Sequence, residues 1–158
     1  ITDLLKQDHD TVNRLFAEFT QTPPDDGQRQ QELIDQIAEE LEVHAQAEEE
    51  IFYPALRSVS ERVDHARAEH AQVRGLLGDA EGREPASAEF AEKVARLEQA
   101  VMAHVAEEEG PMFSEADRLG ADELTRLGQR FAERKETLKT SLLQRGLRGM
   151  KLAAKKIA

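Results

Sequence analysis

The stretch His44-Ala45-Gln46-Ala47-Glu48-Glu49-Glu50-Ile51-Phe52-Tyr53-Pro54 decides how this chain folds. On a helix, residues three and four apart lie on one face. Ile37, Leu41, His44, Glu48 and Ile51 therefore form a single stripe, with the imidazole and the carboxylate one turn apart. Leucine and isoleucine on that stripe mark it as the buried seam of a packed helix. A histidine and a glutamate on such a seam are the informative feature, because a buried polar group needs a partner.

Working outward, the same arrangement returns in Phe90, Val94, Leu97, Val101, His104 and Glu108. Two further stripes carry one histidine each: Leu5, His9, Val12, Phe16 and Phe19, then Val63, Ala66, His70, Val73 and Leu77. His9 precedes His44 by 35 residues and His70 precedes His104 by 34, so the chain reads as two similar halves. The breaks fall at Pro23-Pro24-Asp25-Asp26-Gly27, at Pro54, at Gly78 to Gly82 with Pro85, and at Gly110-Pro111. The spacing predicts helices over 2–20, 28–53, 61–77 and 87–109. Short connections make successive helices antiparallel, which gives an all-α, up-down-up-down four-helix bundle. Leu124, Leu127, Phe131, Leu138 and Leu142 predict an additional C-terminal helix over 122–143. The expected organisation is a bundle over 1–113, the additional helix within 114–143, and a basic tail over 144–158.

Composition agrees with exposed helices. Hydrophobic residues are 39% and charged residues 34% of the chain, with one tyrosine and no tryptophan to stock a β-sandwich. The net charge of −11 excludes a general nucleic-acid binder, which needs a basic surface. That charge is uneven: Lys139, Arg145, Arg148, Lys151, Lys155 and Lys156 give residues 138–158 a charge of +6, leaving −17 for the rest. The expectation for this segment is that it folds back on the acidic body or is disordered; contact with an anionic membrane surface, or with nucleic acid or an acidic partner, is the alternative. No run reaches the roughly 18 apolar residues of a membrane-spanning helix, no signal peptide is visible, and a cytoplasmic location is the default expectation.

The absence of cysteine removes disulfides, thiolate metal sites and a cysteine nucleophile. What remains is four seam histidines, His9, His44, His70 and His104, with Glu48 and Glu108. Imidazole and carboxylate without sulfur suit iron, zinc, manganese or copper. A two-fold repeated set of four histidines and two glutamates suits two ions, each taking two imidazoles, with the carboxylates bridging. Positions then remain for an oxo or hydroxo bridge and for a small ligand such as O2, H2O2 or NO.

With His9, His44-x-x-x-Glu48, His70 and His104-x-x-x-Glu108, and with Glu48 to Leu56 as a local match, the chain resembles the hemerythrin-like (HHE cation-binding) family. The resemblance covers about residues 1–113 and implies two non-haem iron ions in a four-helix bundle. Its looser likeness to the mycobacterial-type members implies catalase-like disproportionation of H2O2. Reversible O2 or NO binding or sensing, and NO-related or iron-repair chemistry, are the alternatives that the family implies.

The respiratory oxygen carriers of that family resemble five-histidine sites with His-x-x-x-His on the third helix. Here His65 and His70 are five apart, about 140° round the helix, so His65 is expected to face solvent. Tyr53 is the candidate for the missing ligand, since a phenolate suits iron(III). It lies about 140° round from Glu48 on an ideal helix, and a helix end at Pro54 would let its ring turn inward. Glu49, Glu50, Glu107 and Glu109 read as solvated acids. Glu69 reads as surface, with a role as acceptor for a ligand imidazole as the alternative.

Overall fold

A computed structural model describes the backbone of residues 1–157 and the side chains of residues 1–145. The elements are α1 (Thr2–Gln21), α2 (Gly27–Leu56), α3 (Val63–Glu81) and α4 (Ala88–Glu107). A π-helical turn over Glu108–Met112, a short α5 (Phe113–Ala116) and a 3-10 turn (Asp117–Leu119) lead into α6 (Ala121–Ile157). No strand occurs among the described residues. The expected helical bundle with an additional C-terminal helix is what forms. α6 lies mainly against α2 and also touches α1, burying Leu127, Phe131 and Leu138. The side chains of the basic tail beyond residue 145 lie outside the described residues, and with them the expectations about its partners.

Several predicted breaks do not break the chain. α2 runs through Pro54 to Leu56, because a proline in the last turn removes only one ladder hydrogen bond. α3 runs through Gly78 to Glu81, since an exposed glycine costs a helix only about 1 kcal/mol. Gly110-Pro111 changes the helix type instead of stopping it. Pro111 has no N–H to donate, and the Phe113 N–H reaches back to the Glu108 carbonyl, one residue beyond the α-helical partner.

The loop ends are tied by polar contacts. Asp26 caps α2 by accepting from the Arg29 N–H, and Ser87 caps α4 by accepting from the Phe90 N–H. Buried Gln30 accepts from the Ala86 N–H and donates toward the Pro23 and Pro24 carbonyls, joining the α1–α2 and α3–α4 loops. A side chain at Gly27 would meet Pro85 and Ala86 at 3.3 Å, so glycine permits that close approach.

The core divides into two apolar clusters. One contains Phe16, Ile34, Ile37, Phe90 and Leu97. The other contains Leu5, Phe52, Leu56, Met112 and Phe131. Each seam histidine lies in sequence between residues of the two clusters, as His9 does between Leu5 and Val12. The polar belt is thereby closed off from water at both ends.

Candidate metal centre

All six predicted inner residues meet. His9, His44, His70 and His104 are 4–5% exposed, and Glu48 and Glu108 are fully buried. The Nε2 atoms point inward. Glu48 Oε2 lies 3.4 Å from His44 Nε2 and 3.5 Å from His70 Nε2. Glu108 Oε2 lies 3.2 Å from His9 Nε2 and 3.7 Å from His104 Nε2. Each carboxylate therefore faces one imidazole from each half of the chain. Three overlapping groups have ligand atoms within 4.8 Å of one another: His9, His44 and Glu108; His44, Glu48 and His70; and Glu48, His104 and Glu108.

Seven buried side-chain polar atoms lack a hydrogen-bond partner among the described residues, and five belong to this cluster: His9 Nε2, His44 Nε2, both Glu48 oxygens and Glu108 Oε2. Leaving one such atom unsatisfied costs about 1–3 kcal/mol. Five unpartnered nitrogen and oxygen atoms brought together in one buried cluster are what a cation would satisfy, and the donor set of imidazole and carboxylate suits a first-row transition metal.

Tyr53 joins the cluster although ideal helix geometry argued against it. Its ring is fully buried and stacks on His70 at 5.5 Å between centroids. Its hydroxyl donates to Glu108 Oε1 at 3.4 Å and lies 3.4 Å from His70 Nε2. No helix end at Pro54 is needed. Helical side chains lean toward the N-terminus, so the long phenol reaches back over the turn that bears Glu48.

Outside this inner set lies a ring of acids on the Nδ1 atoms. Asp8 of α1 pairs with His44 of α2 at 3.2 Å, and Glu49 of α2 with His70 of α3 at 2.9 Å. Glu69 of α3 pairs with His104 of α4 at 2.9 Å, and Glu109 with His9 of α1 at 2.8 Å. α1, α2 and α3 each brace the histidine of the next helix, and Glu109, in the π-helical turn after α4, closes the circle on His9. An acceptor on Nδ1 fixes the imidazole's tautomer and aim, leaving Nε2 free for a ligand.

A family model described as the hemerythrin HHE cation-binding domain matches residues 1–116. The chain belongs to this hemerythrin HHE family. A 116-residue stretch is 37% identical to a protein of Nostoc sp. named DNA nickase; the match covers 72% of this chain and 32% of that protein, so this chain spans about a third of that relative's length. An uncharacterized protein of Mycobacterium tuberculosis (strain H37Rv) is 27% identical over 143 residues, 89% of this chain and 88% of that one. The crystal structure of a hemerythrin HHE cation-binding domain-containing protein from Mycobacterium kansasii superposes with a TM-score of 0.82 at 25% identity, covering 91% and 90% of the two chains. A match of 143 residues must take in much of α6, whereas the family model ends before it.

In this hemerythrin-family site, burial and charge oppose each other. Burial would depress His44, but the Glu48 charge and the Asp8 contact push it up to about 10. Burial lowers His9 as well, yet Glu108 raises it above the ordinary value. In His104 burial prevails and the ring is held below the ordinary value. Burial and the neighbouring Glu48 charge push Glu108 up, whereas His44 overcomes burial to hold Glu48 down. Without metal, the site therefore holds protons that a cation must displace. Burial first, then Glu48 and Glu108, raise the Tyr53 phenol far above its ordinary value.

His65 is 67% exposed, as expected, and its Nε2 lies 3.3 Å from Glu69 Oε1. The outer acids are the residues that sequence reading missed. Glu49 and Glu109 were expected to be solvated, and Asp8 carried no expectation. Glu69 is indeed an imidazole acceptor, but for His104 across the helix interface and not for its neighbour His70. One signal was present: Asp8 and Glu69 precede a seam histidine by one residue, and Glu49 and Glu109 follow a seam glutamate by one. No helix among the described residues is long and apolar enough to cross a membrane.

Proposed function

We propose that the protein is a non-haem di-iron protein acting on a small oxidant, with disproportionation of two H2O2 to two H2O and O2 as the favoured reaction. The supporting observation is the set of five unpartnered buried atoms, with each of the two carboxylates facing imidazoles from both halves. His9 and His44 would hold one ion and His70 and His104 the other, with Glu48 and Glu108 shared between them. Tyr53 would take a position beside His70. When bound, the pair of ions would supply the one-electron redox chemistry that side chains lack.

The rest is the work of the chain itself. The four outer acids hold the imidazoles in one tautomer, so the ligand atoms are aimed before a metal arrives. The two apolar clusters keep bulk water out. Beside the histidines lies a cavity of about 30 Å³, walled by Val12, Leu41, Val73, Leu77 and Val101. That is room enough for a water-sized molecule, so the cavity suits a diatomic ligand or a peroxide beside the histidines.

Iron per chain and O2 evolution on adding H2O2 test the reading together. Two irons per chain with rapid O2 release support it. Two irons with a reversible oxy or nitrosyl spectrum and no release favour reversible O2 or NO binding. Failure to take up iron on reconstitution overturns the scheme.

A further inference from the structure

α6 lies outside the four-helix bundle, yet it touches the predicted metal centre at two points. The Phe131 ring is fully buried and packs edge-on against the His44 imidazole, 6.4 Å between centroids at 82°. One turn on, Lys135 forms an ion pair with Asp8 through Oδ1, while Asp8 Oδ2 holds His44 Nδ1 at 3.2 Å. The Lys135 ammonium also lies 5.6 Å from the centre of the Phe131 ring, so its position is set from two sides. Lys135 and Asp8 are only 17% and 14% exposed, which weakens solvent screening of the pair.

The other outer acids are held differently. Glu49 pairs with Arg74 of α3 at 3.0 Å, and Glu69 with His65 of the same helix at 3.3 Å. Among the described residues, Glu109 has no Lys or Arg within ion-pair distance. Only the His44 brace is thus fastened, among the described residues, by a residue from outside the region that the family model matches.

Asp8 has two choices. It can accept from His44, or turn its carboxylate to solvent. Lys135 occupies Oδ1 and removes the second choice, which holds Oδ2 on the imidazole. We propose that α6 is part of the metal centre, and that Lys135 positions Asp8 and through it His44, setting the affinity of the metal position that His9 and His44 form. This rests on the two-metal reading above, and Lys135 is a positioning residue that touches neither metal nor substrate.

The test compares the full-length wild-type protein with Lys135→Gln, Lys135→Arg and Lys139→Gln. Lys139 pairs with Glu40 at 2.9 Å, so Lys139→Gln also removes an α6–α2 ion pair but leaves the imidazole braces alone. Fe(II) is titrated anaerobically against a chelator, and the two iron environments are read by Mössbauer spectroscopy. Lys135→Gln is expected to weaken one of the two Fe(II) equivalents by about 10-fold, the lower end of what outer partners of a ligand contribute. One of the two iron signals shifts and the other stays. Lys135→Arg restores both, and Lys139→Gln leaves both unchanged at a similar melting temperature. Should Lys135→Gln fail to fold, Lys135→Met, which keeps the stem on Phe131, is read in its place. Affinity and spectra of the Lys135 variant indistinguishable from those of Lys139→Gln overturn the role of α6. A wild-type protein that takes up no Fe(II) overturns the two-metal reading, and this inference with it.

Discussion

The half of the bundle formed by α1 and α2 and the half formed by α3 and α4 present the same inner residues in different surroundings. Each offers a histidine from its first helix and His-x-x-x-Glu from its second. Each places an acid just before the lone histidine and just after the glutamate, and those acids brace the next helix in the circle. The surroundings differ. α2 stays α-helical through Pro54 and adds Tyr53 to the site. α4 gives way to a π-helical turn at Glu108. α6 adds Phe131 beside His44 and Lys135 beside Asp8. The metal-free site is itself lopsided, with His44 pushed up and His104 held down, and with Glu48 held down and Glu108 pushed up. A repeated ligand pattern does not make two equivalent metal positions, because the donor strength of a ligand depends on what its far side touches.

The most severe way to break the comparison is to remove a shared carboxylate. Glu48→Ala and Glu108→Ala are each expected to abolish loading of two irons per chain, whichever half supplies the glutamate; metal analysis after reconstitution checks this. Next come the two apolar ends. Phe131→Ala and Phe90→Ala each empty a fully buried site, with an expected loss of about 3–5 kcal/mol in denaturant unfolding. Only Phe131→Ala is also expected to weaken metal binding, because only Phe131 packs on a predicted ligand.

Trimming the braces is a milder test. Asp8→Ala and Glu69→Ala are each expected to weaken iron binding by about 10–100-fold. Equal losses would show that the inner pattern outweighs the surroundings, and a larger loss for Asp8→Ala would show that the Lys135 connection matters. Tyr53→Phe is expected to retain iron while losing a visible phenolate-to-iron(III) charge-transfer band. An unchanged spectrum would remove Tyr53 from the ligand set.

The last comparison is the response of the metal-free protein to pH. His44 is raised from 6.5 to about 10, so its contribution to stability is complete below pH 6.5 and is lost as pH rises toward 10. The contacts with His70 and Arg74 lower Glu49 from 4.5 to about 2, so its contribution is present above pH 4.5 and is lost as pH falls toward 2. Thermal melts of metal-free protein across this range check both signs. Iron uptake must displace the proton on His44, so apparent affinity is expected to rise with pH, and loaded protein is expected to lose the alkaline decline that His44 causes.

Much of the site was legible because the feature is local and periodic. A histidine on an apolar stripe and a glutamate one turn later can be read from spacing alone, and four such stripes define both a bundle and its polar centre. Helix ends were less legible. Pro54, Gly78 and Pro111 are breakers in isolation, but packing on both sides of the seam outweighs a lost hydrogen bond near a helix end. The outer acids were hidden for another reason. Asp8, Glu49, Glu69 and Glu109 each contact a histidine on a different helix, and adjacency to a seam residue is the one local mark that sets them apart from the other acids of a chain that carries 32.

Sequence alone determined the four helices, the six inward side chains and the two-fold repetition, because each depends on a helical period of 3.6 residues acting within one segment. Tertiary structure decided the rest: which acid braces which imidazole, that Tyr53 reaches the centre, and that α6 lies against His44. Those depend on distances between helices, and such distances emerge only when the apolar stripes have found one another.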